Sequence, residues 1–173
     1  MPNLGHDVKQ FTARVNLVCA ALPELEFAPF DSPSLLAALN RAFSGLTLVK
    51  EAQAVELRPH FRRHLAPVQI EWLDELLPLS IPWPDAGKVK LTYPEPGPDS
   101  KDAWPTAQVK LTACRDLKEH PVLCEGKVPV RLWLLLPDGK RLDETTDFLQ
   151  WKTATYPKHR ASLRAKYPAV LWP

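Results

Sequence analysis

Apolar residues recur at helical spacing at the beginning of the chain. The first such stretch covers residues 12–22 and should end at the turn that Pro23 introduces. In the second, Ser32 is the predicted N-cap and Pro33 takes the first helical position, and a stop follows at Gly45. The apolar face of this second helix is predicted to hold Leu35, Leu36, Leu39 and Phe43.

Two more helices are predicted before residue 78. One begins at Thr47, carries Leu48, Ala52 and Val55 at helical spacing, and should end near Arg58 because Pro59 follows. The other begins near Pro67 and directs four apolar side chains inward before Pro78 closes it, namely Ile70, Leu73, Leu76 and Leu77. The first half of the chain is therefore predicted to be helical.

The pattern changes after Pro78, where prolines and glycines dominate as far as Pro105. An alternating run over residues 88–93 predicts one short strand within this stretch. The run over residues 93–100 holds too many prolines for a sheet interior, so we predict an exposed loop. Residues 108–117 fit either a strand or a helix, and we interpret them as a helix.

A β-hairpin is the clearest prediction in the second half. An apolar run over residues 128–136 is followed by Pro137, Asp138 and Gly139 and then by a polar run over residues 140–143. Glycine at the third turn position supplies a positive φ, as such turns require.

Two final helices are predicted, over residues 144–153 and 157–166. The fold class is therefore α+β: a helical N-terminal half followed by a small mixed part with a β-hairpin, one further strand and packed C-terminal helices. We place a helical subdomain at residues 1–80 and an α+β subdomain at residues 81–173.

Composition fits a compact protein that buries a core. The chain has 173 residues, 45% of them hydrophobic and 24% charged, which suits one domain or two small closely packed subdomains. The apolar run over residues 15–22 is too short to cross a bilayer and lacks the pattern of a secretory leader. Three cysteines without CxxC spacing, Cys19, Cys114 and Cys124, suit apolar core positions in a reducing compartment, so we expect a cytoplasmic protein without a membrane partner.

Charge is concentrated at the C-terminal end. The net charge is +2, yet residues 151–173 hold five basic residues and no Asp or Glu, which leaves 17 basic against 20 acidic residues elsewhere. A positive field confined to one end suits a phosphate backbone or an acidic protein surface, and the alternative is a solvated helix face. The candidate binding residues of this segment are Lys158, Arg160, Arg164 and Lys166.

Motifs for catalysis are absent from the sequence. It contains no GxxxxGK[ST] run to cradle phosphates, and its six glycines form no dinucleotide fingerprint. His60 and His64 have the i, i+4 spacing of zinc ligands, but Arg62 and Arg63 lie between them and no glutamate serves as a base. Cys114, His120 and Cys124 lack an evident fourth ligand. We therefore expect neither an enzyme nor a bound cofactor or metal in this chain.

Binding surfaces remain as the candidate function. A second basic cluster holds Arg58, Arg62 and Arg63 together with the two neighbouring histidines. In the C-terminal segment, Tyr156, Tyr167 and Trp172 alternate with cations, and exposed aromatic rings can stack on bases. Tyr156, Leu163 and Tyr167 also share one helix face, so we favour the interpretation that they dock this helix onto the hairpin.

Several of these motifs together resemble the C-terminal region of HrpB-type bacterial DExH-box ATP-dependent RNA helicases. The resemblance covers residues 84–173 and is weaker in the helical half, where Ala21-Leu22-Pro23-Glu24-Leu25 carries it. Its closing pattern is Tyr156-Pro157, Arg160, Leu163-Arg164, Lys166-Tyr167-Pro168 and Trp172-Pro173. Upstream, Gly126-Lys127-Val128-Pro129-Val130 and the turn at Pro137 and Gly139 also fit. The chain departs from the pattern at residues 112–116, 152 and 169–171.

The resemblance implies that ATP hydrolysis and the role of this chain belong to different domains. The ATPase motor, with its P-loop and DExH box, would lie in other domains, and ATP and Mg²⁺ would bind only there. This chain would be a non-catalytic accessory region that packs on the motor domains and contacts single-stranded RNA through its basic C-terminal helix. The alternative is a protein-interaction module that uses the hairpin and Trp133 and binds no nucleic acid.

Overall fold

The computed structural model describes residues 4–47, 49–84, 86–94 and 103–173. The chain divides into two compact units, the first formed by Met1–Leu77 with Tyr93–Ala103 and the second by Pro78–Thr92 with Trp104–Pro173. The division into subdomains over residues 1–80 and 81–173 stays a prediction. The α+β fold class is confirmed, since helices form the first unit and a mixed sheet with helices forms the second.

The first unit is built from helices, as predicted. They are α1 (His6–Ala21), α2 (Ser32–Phe43), α3 (Val49–Ala54), α4 (Arg58–Arg62) and α5 (Pro67–Leu76). Its core contains aromatic and aliphatic side chains, and the ring of Phe30 stacks on that of Phe61 with centroids 5.6 Å apart. The helix predicted over residues 12–22 begins earlier, at His6.

Two buried polar side chains of α1 bind backbone groups in this unit. Gln10 pairs with both backbone groups of Tyr93: its Nε2 donates to the carbonyl at 2.8 Å and its Oε1 accepts from the amide at 2.7 Å. Arg14, which is 3% exposed, donates from Nε to the Leu77 carbonyl at 2.6 Å and from Nη2 to the Leu73 carbonyl at 3.0 Å. Buried polar groups are tolerated where they are satisfied in this way.

The predicted cap and inner face of α2 were partly wrong. Asp31, not Ser32, is the N-cap, and its carboxylate accepts from the Ser34 amide at 2.8 Å. Hydrogen bonds from the side chain and the amide of Ser34 lower the pKa of Asp31. The fully buried side chains are Ala38 and Ala42, whereas Leu36 is 59% exposed. Small residues let the helix axis approach the core closely, which leaves part of the leucine stripe outside.

The predicted end of the third helix was also wrong. α3 ends at Ala54, and Arg58 begins a new helix with Pro59 in its first turn. Proline suits that position because the first turn of a helix leaves its amides unpaired. Leu48 lies outside the described residues. α5 begins at Pro67 as predicted, with Leu73 and Leu77 buried and Ile70 and Leu76 partly buried.

The second unit contains a five-stranded sheet in the order β1-β2-β3-β6-β7 and a two-stranded sheet of β4 and β5. The strands are β1 (Ser80–Trp83), β2 (Gly87–Thr92), β3 (Thr106–Lys110), β4 (Val122–Leu123), β5 (Val128–Pro129), β6 (Arg131–Leu135) and β7 (Arg141–Thr145). β3 and β6 run parallel and the other neighbours antiparallel. Helices α6 (Phe148–Ala154) and α7 (Tyr156–Lys166) follow.

The helix predicted over residues 108–117 was wrong. β3 occupies the beginning of this segment, followed by a 3₁₀ turn at Leu111–Cys114. Ala107 and Val109 are buried while Gln108 and Lys110 are exposed, so period-two alternation describes the segment.

β1 was not predicted, because Pro82 argues against a strand. Proline is tolerated there because β1 lies at the edge of the sheet.

The hairpin and the strand predicted over residues 88–93 are confirmed. β6 and β7 pair, and Gly139 has a φ of +84° in the turn between them. The apolar run over residues 128–136 forms two strands and not one. Its first part, β5 (Val128–Pro129), pairs with β4, and its second part, β6, pairs with β7. The helix predicted from residue 144 begins at Phe148, with Asp147 as its N-cap. Of the predicted proline-rich loop, residues 95–100 lie outside the described residues.

The three cysteines are free thiols. Burial raises the pKa of Cys114 to about 12 and that of Cys124 to about 11, so both are protonated at neutral pH. This confirms their interpretation as core residues, whereas Cys19 is only partly buried. Within the described residues, no helix combines the length and apolar character needed to cross a membrane.

Candidate nucleic-acid interface

The docking stripe predicted for α7 is confirmed. Tyr156 and Leu163 are buried, and the Tyr167 hydroxyl donates to Asp138 Oδ2 at 3.1 Å in the hairpin turn. Trp172 lies edge-on to the Tyr167 ring with centroids 5.9 Å apart. These aromatic residues therefore anchor α7 in the second unit.

The cations of α7 do not form a single patch. All four candidates are exposed, but on a helix of 3.6 residues per turn they point in different directions. Arg160 and Arg164 are four residues apart and share one flank of the buried stripe. Lys166 lies on the opposite flank, and Lys158 points away from the stripe. Only the two arginines are brought together as a pair.

Lys166 is engaged within the fold. Its Nζ lies 4.0 Å from Asp138 Oδ2 and 5.1 Å from the centre of the Tyr167 ring. The interaction with Tyr167 raises the pKa of Lys166, and hydrogen bonding from the Lys140 amide lowers that of Asp138. The charge of Lys166 is therefore partly balanced by an acidic neighbour within the fold.

The second predicted cluster belongs to the first unit. Arg58 and Arg63 are exposed and Arg62 is partly buried. The adjacent His64 has a structural role, since its Nε2 lies 2.9 Å from the Ala28 carbonyl oxygen and its ring lies against Phe30. Among the described residues, no group of three His, Cys, Asp or Glu side chains could hold a metal ion. This cluster therefore offers three arginines.

His120 is also structural. Its Nδ1 accepts from the Phe148 amide at 3.1 Å, at the beginning of α6, and burial lowers the pKa of the ring. A neutral imidazole is the form that accepts such a bond. His120 therefore acts as a second cap of α6.

Sequence reasoning missed the basic outer face of the sheet. On β2, Lys88 and Lys90 are exposed and alternate with the buried Val89 and Leu91. Gln108 and Lys110 are exposed in the same way on β3. The sequence signal for this face is the alternation of lysine with apolar residues over residues 88–91, which places both lysines on one side of a strand.

A cleft of about 310 Å³ lies between these two strands. It is lined by the residues of both strands together with Trp83, whose indole Nε1 donates to the Ala113 carbonyl at 2.8 Å. On the neighbouring strand β6, Trp133 is partly buried, and the Arg141 guanidinium lies 4.8 Å from its ring centre. Trp133 is thus covered on one side by a cation.

The closing motifs over residues 156–173 fit the class of protein that the sequence suggested, the C-terminal region of a helicase. A family model described as ATP-dependent helicase C-terminal (HrpB_C) matches residues 38–173. The chain therefore belongs to this family, and the resemblance inferred from its motifs is confirmed.

One related sequence and two solved structures are similar to this chain. The chain is 26% identical over 166 residues to the ATP-dependent RNA helicase HrpB of Escherichia coli (strain K12), covering 92% of this chain and 20% of that protein. It is similar in fold to a crystal structure of the E. coli DExH-box NTPase HrpB, with a TM-score of 0.85, 24% identity and coverage of 99% of this chain and 21% of that one. A crystal structure of the E. coli DEAH/RHA helicase HrpB gives a TM-score of 0.71 at 23% identity, covering 94% of this chain and 20% of that one. The chain thus spans about a fifth of the length of the relatives it matches.

Proposed function

We propose that this chain is a non-catalytic accessory region of an ATP-dependent RNA helicase, and that it packs on the motor domains and contacts single-stranded RNA through α7. The observation that carries the RNA contact is the exposed pair of Arg160 and Arg164 in a segment without acidic residues. Family membership supports the link to a helicase. ATP and Mg²⁺ would be bound by the motor, and this chain would bind neither.

The arginine pair suits a phosphate backbone for electrostatic reasons. A guanidinium presents several donors in a planar fork that matches a phosphate oxygen pair. Neutralising phosphates releases condensed counterions, which makes the affinity fall as salt rises. Lys158 would add to the long-range field of α7, and Arg58, Arg62 and Arg63 would form a separate basic cluster on the first unit.

Substituting Arg160→Ala together with Arg164→Ala is expected to weaken binding of single-stranded RNA about tenfold or more at low salt. The slope of log affinity against log salt should also fall by about 1.4, since each lost contact with a single strand removes about 0.7. Fluorescence anisotropy of a labelled oligouridylate at a series of salt concentrations measures both quantities.

Lys50→Ala with Lys118→Ala is the matched control. Both lysines are exposed, so this variant loses the same charge without touching α7. If both variants lose the same affinity for RNA, the effect depends only on net charge, and a site on α7 is contradicted. If the unsubstituted chain does not bind RNA even at low salt, the RNA part of the proposal fails.

The exposed apolar face of α5 favours a second candidate function, that of a surface for another protein. Val68 and Trp72 are 46% and 42% exposed and are four residues apart, so they lie side by side. Exposed aromatic and aliphatic neighbours are typical of protein contacts. In the leading proposal this face would meet the motor domains, and in the alternative it would meet another protein while no nucleic acid is bound.

Trp72→Ser is expected to weaken complex formation with a DExH motor protein from the same organism about thirtyfold. An exposed tryptophan at the centre of an interface commonly contributes 2 kcal/mol or more, which is roughly a thirtyfold loss of affinity. Co-elution in size-exclusion chromatography tests this. Leu171→Ser is the control, because Leu171 is 73% exposed but lies near the C-terminal end of the second unit. Unchanged co-elution of Trp72→Ser would exclude α5 as the contact.

The proposed site of action is the cytoplasm. Three free thiols suit a reducing compartment, where RNA helicases also meet their substrates.

A further inference from the structure

The cleft between β2 and β3 forms because the two strands separate. They pair only at Leu91 with Ala107 and at Thr92 with Thr106. Continuing this antiparallel register would set Lys90 opposite Gln108 and Lys88 opposite Lys110. Instead the strands part, and a cleft of about 310 Å³ with Val89 and Val109 in its lining takes the place of further pairing.

The charge of this cleft is uncompensated within its lining. Lys88, Lys90 and Lys110 contribute three ammonium groups, and none of the described residues that line the cleft is acidic. Asp85 lies outside the described residues. Like charges facing each other across neighbouring strands repel. A bound anion would remove this repulsion, and Gln108 supplies an uncharged amide donor beside the lysines.

The surroundings of the cleft favour a strand of nucleic acid over a small ion. Lys88, Lys90 and Lys110 are exposed on the outer face, so the cleft is accessible along its length. Gln108 is in register with Trp133 on β6, and Thr106 is in register with Arg131, so side chains of these pairs share the outer face. Cations beside a partly exposed aromatic ring are the combination that binds single strands, because phosphates and bases are held together.

We propose that the cleft between β2 and β3 binds the phosphate groups of a single-stranded RNA backbone, with Lys88, Lys90 and Lys110 as its cations and Trp133 beside it for a base. The inference rests on the proposed function, since both assign RNA as the ligand. It adds a second contact surface, on the sheet, to the one on α7.

The test is an NMR titration of the ¹⁵N-labelled chain with an oligouridylate of about eight nucleotides, a length within the usual span of single-strand sites. Backbone amides of Lys88, Lys90, Gln108 and Lys110 and the indole signal of Trp83 should shift on binding. Lys88→Ser with Lys110→Ser should lower the affinity about tenfold and reduce the salt slope by about 1.4. Both lysines are exposed, so the spectrum of this variant should otherwise be that of the folded chain.

Each outcome separates the two proposals. If Arg160→Ala with Arg164→Ala weakens binding while the cleft variant equals the Lys50→Ala and Lys118→Ala control, the cleft proposal fails and the α7 contact stands. If only the cleft variant weakens binding, the α7 contact fails and the cleft proposal stands. Inorganic pyrophosphate is titrated in parallel: shifts at the cleft with pyrophosphate but none with the oligouridylate would overturn the RNA assignment in favour of a small anion.

Discussion

Arg14→Met is expected to lower the free energy of unfolding by about 3 kcal/mol or more. The guanidinium is 3% exposed and supplies donors to the carbonyls of Leu73 and Leu77, at 3.0 and 2.6 Å, at the end of α5. Methionine keeps much of the side-chain volume but donates nothing, so both hydrogen bonds are lost; the Leu77 carbonyl loses its partner, whereas the Leu73 carbonyl keeps the Leu77 amide at 3.0 Å. Each hydrogen bond from a charged donor contributes about 1.5–3 kcal/mol. Urea unfolding followed by circular dichroism measures the change.

Asp74→Asn separates this effect from the ion pair. Arg14 Nη2 lies 2.6 Å from Asp74 Oδ1, but the Asp74 side chain is 53% exposed. The pair joins a buried guanidinium to a half-exposed carboxylate, and asparagine keeps an oxygen that can accept from Nη2, so this variant should lose only about 1–2 kcal/mol, less than Arg14→Met. If Arg14→Met proves no more destabilising than Asp74→Asn, the carbonyl contacts do not carry the stability assigned to them.

Phe148→Ala is expected to destabilise the second unit by about 3–5 kcal/mol. The ring is fully buried and stacks on Trp151 with centroids 5.9 Å apart. Removing it creates a cavity between α6 and its surroundings and withdraws support from Trp151, whose indole donates to Asp143 at 2.7 Å. Thermal unfolding followed by tryptophan fluorescence should show a clear fall in the midpoint.

Leu149→Ala provides the comparison within the same helix. Leu149 is 41% exposed, so its truncation removes much less buried area than that of Phe148, and the expected change is about 1 kcal/mol. Similar losses for the two variants would show that the helix, and not the buried ring, determines the stability of this region.

Local patterns predicted most of the elements whose stabilising partners are near in sequence. The hairpin at Gly139 follows from its turn residues, and α5 follows from Pro67 and the leucine spacing. β3 escaped prediction because its short period-two alternation runs directly into the 3₁₀ turn at Leu111–Cys114, and its partner β6 is parallel and more than twenty residues away. The N-cap of α2 was misplaced by one residue because Asp31 and Ser32 can both cap.

The candidate site was predictable only in part. The acid-free segment gave four candidate cations of α7, which stay a prediction: Lys158, Arg160, Arg164 and Lys166. The stripe of Tyr156, Leu163 and Tyr167 was assigned correctly to docking. Which α7 cations share a flank of the helix could be decided only once the bounds of α7 were known. The lysine cleft could not be predicted, because it depends on where β2 and β3 stop pairing.

The pairing of Gln10 with Tyr93 has a consequence for how the protein is made. These residues are 83 positions apart, and the intervening segment contributes β1 and β2 to the other unit. During translation, the amide side chain of α1 has no access to this partner until Tyr93 has left the ribosome. The helical unit therefore cannot reach its final hydrogen bonding while only its own helices have emerged, and a fragment that stops at residue 80 would leave Gln10 in the same incomplete state.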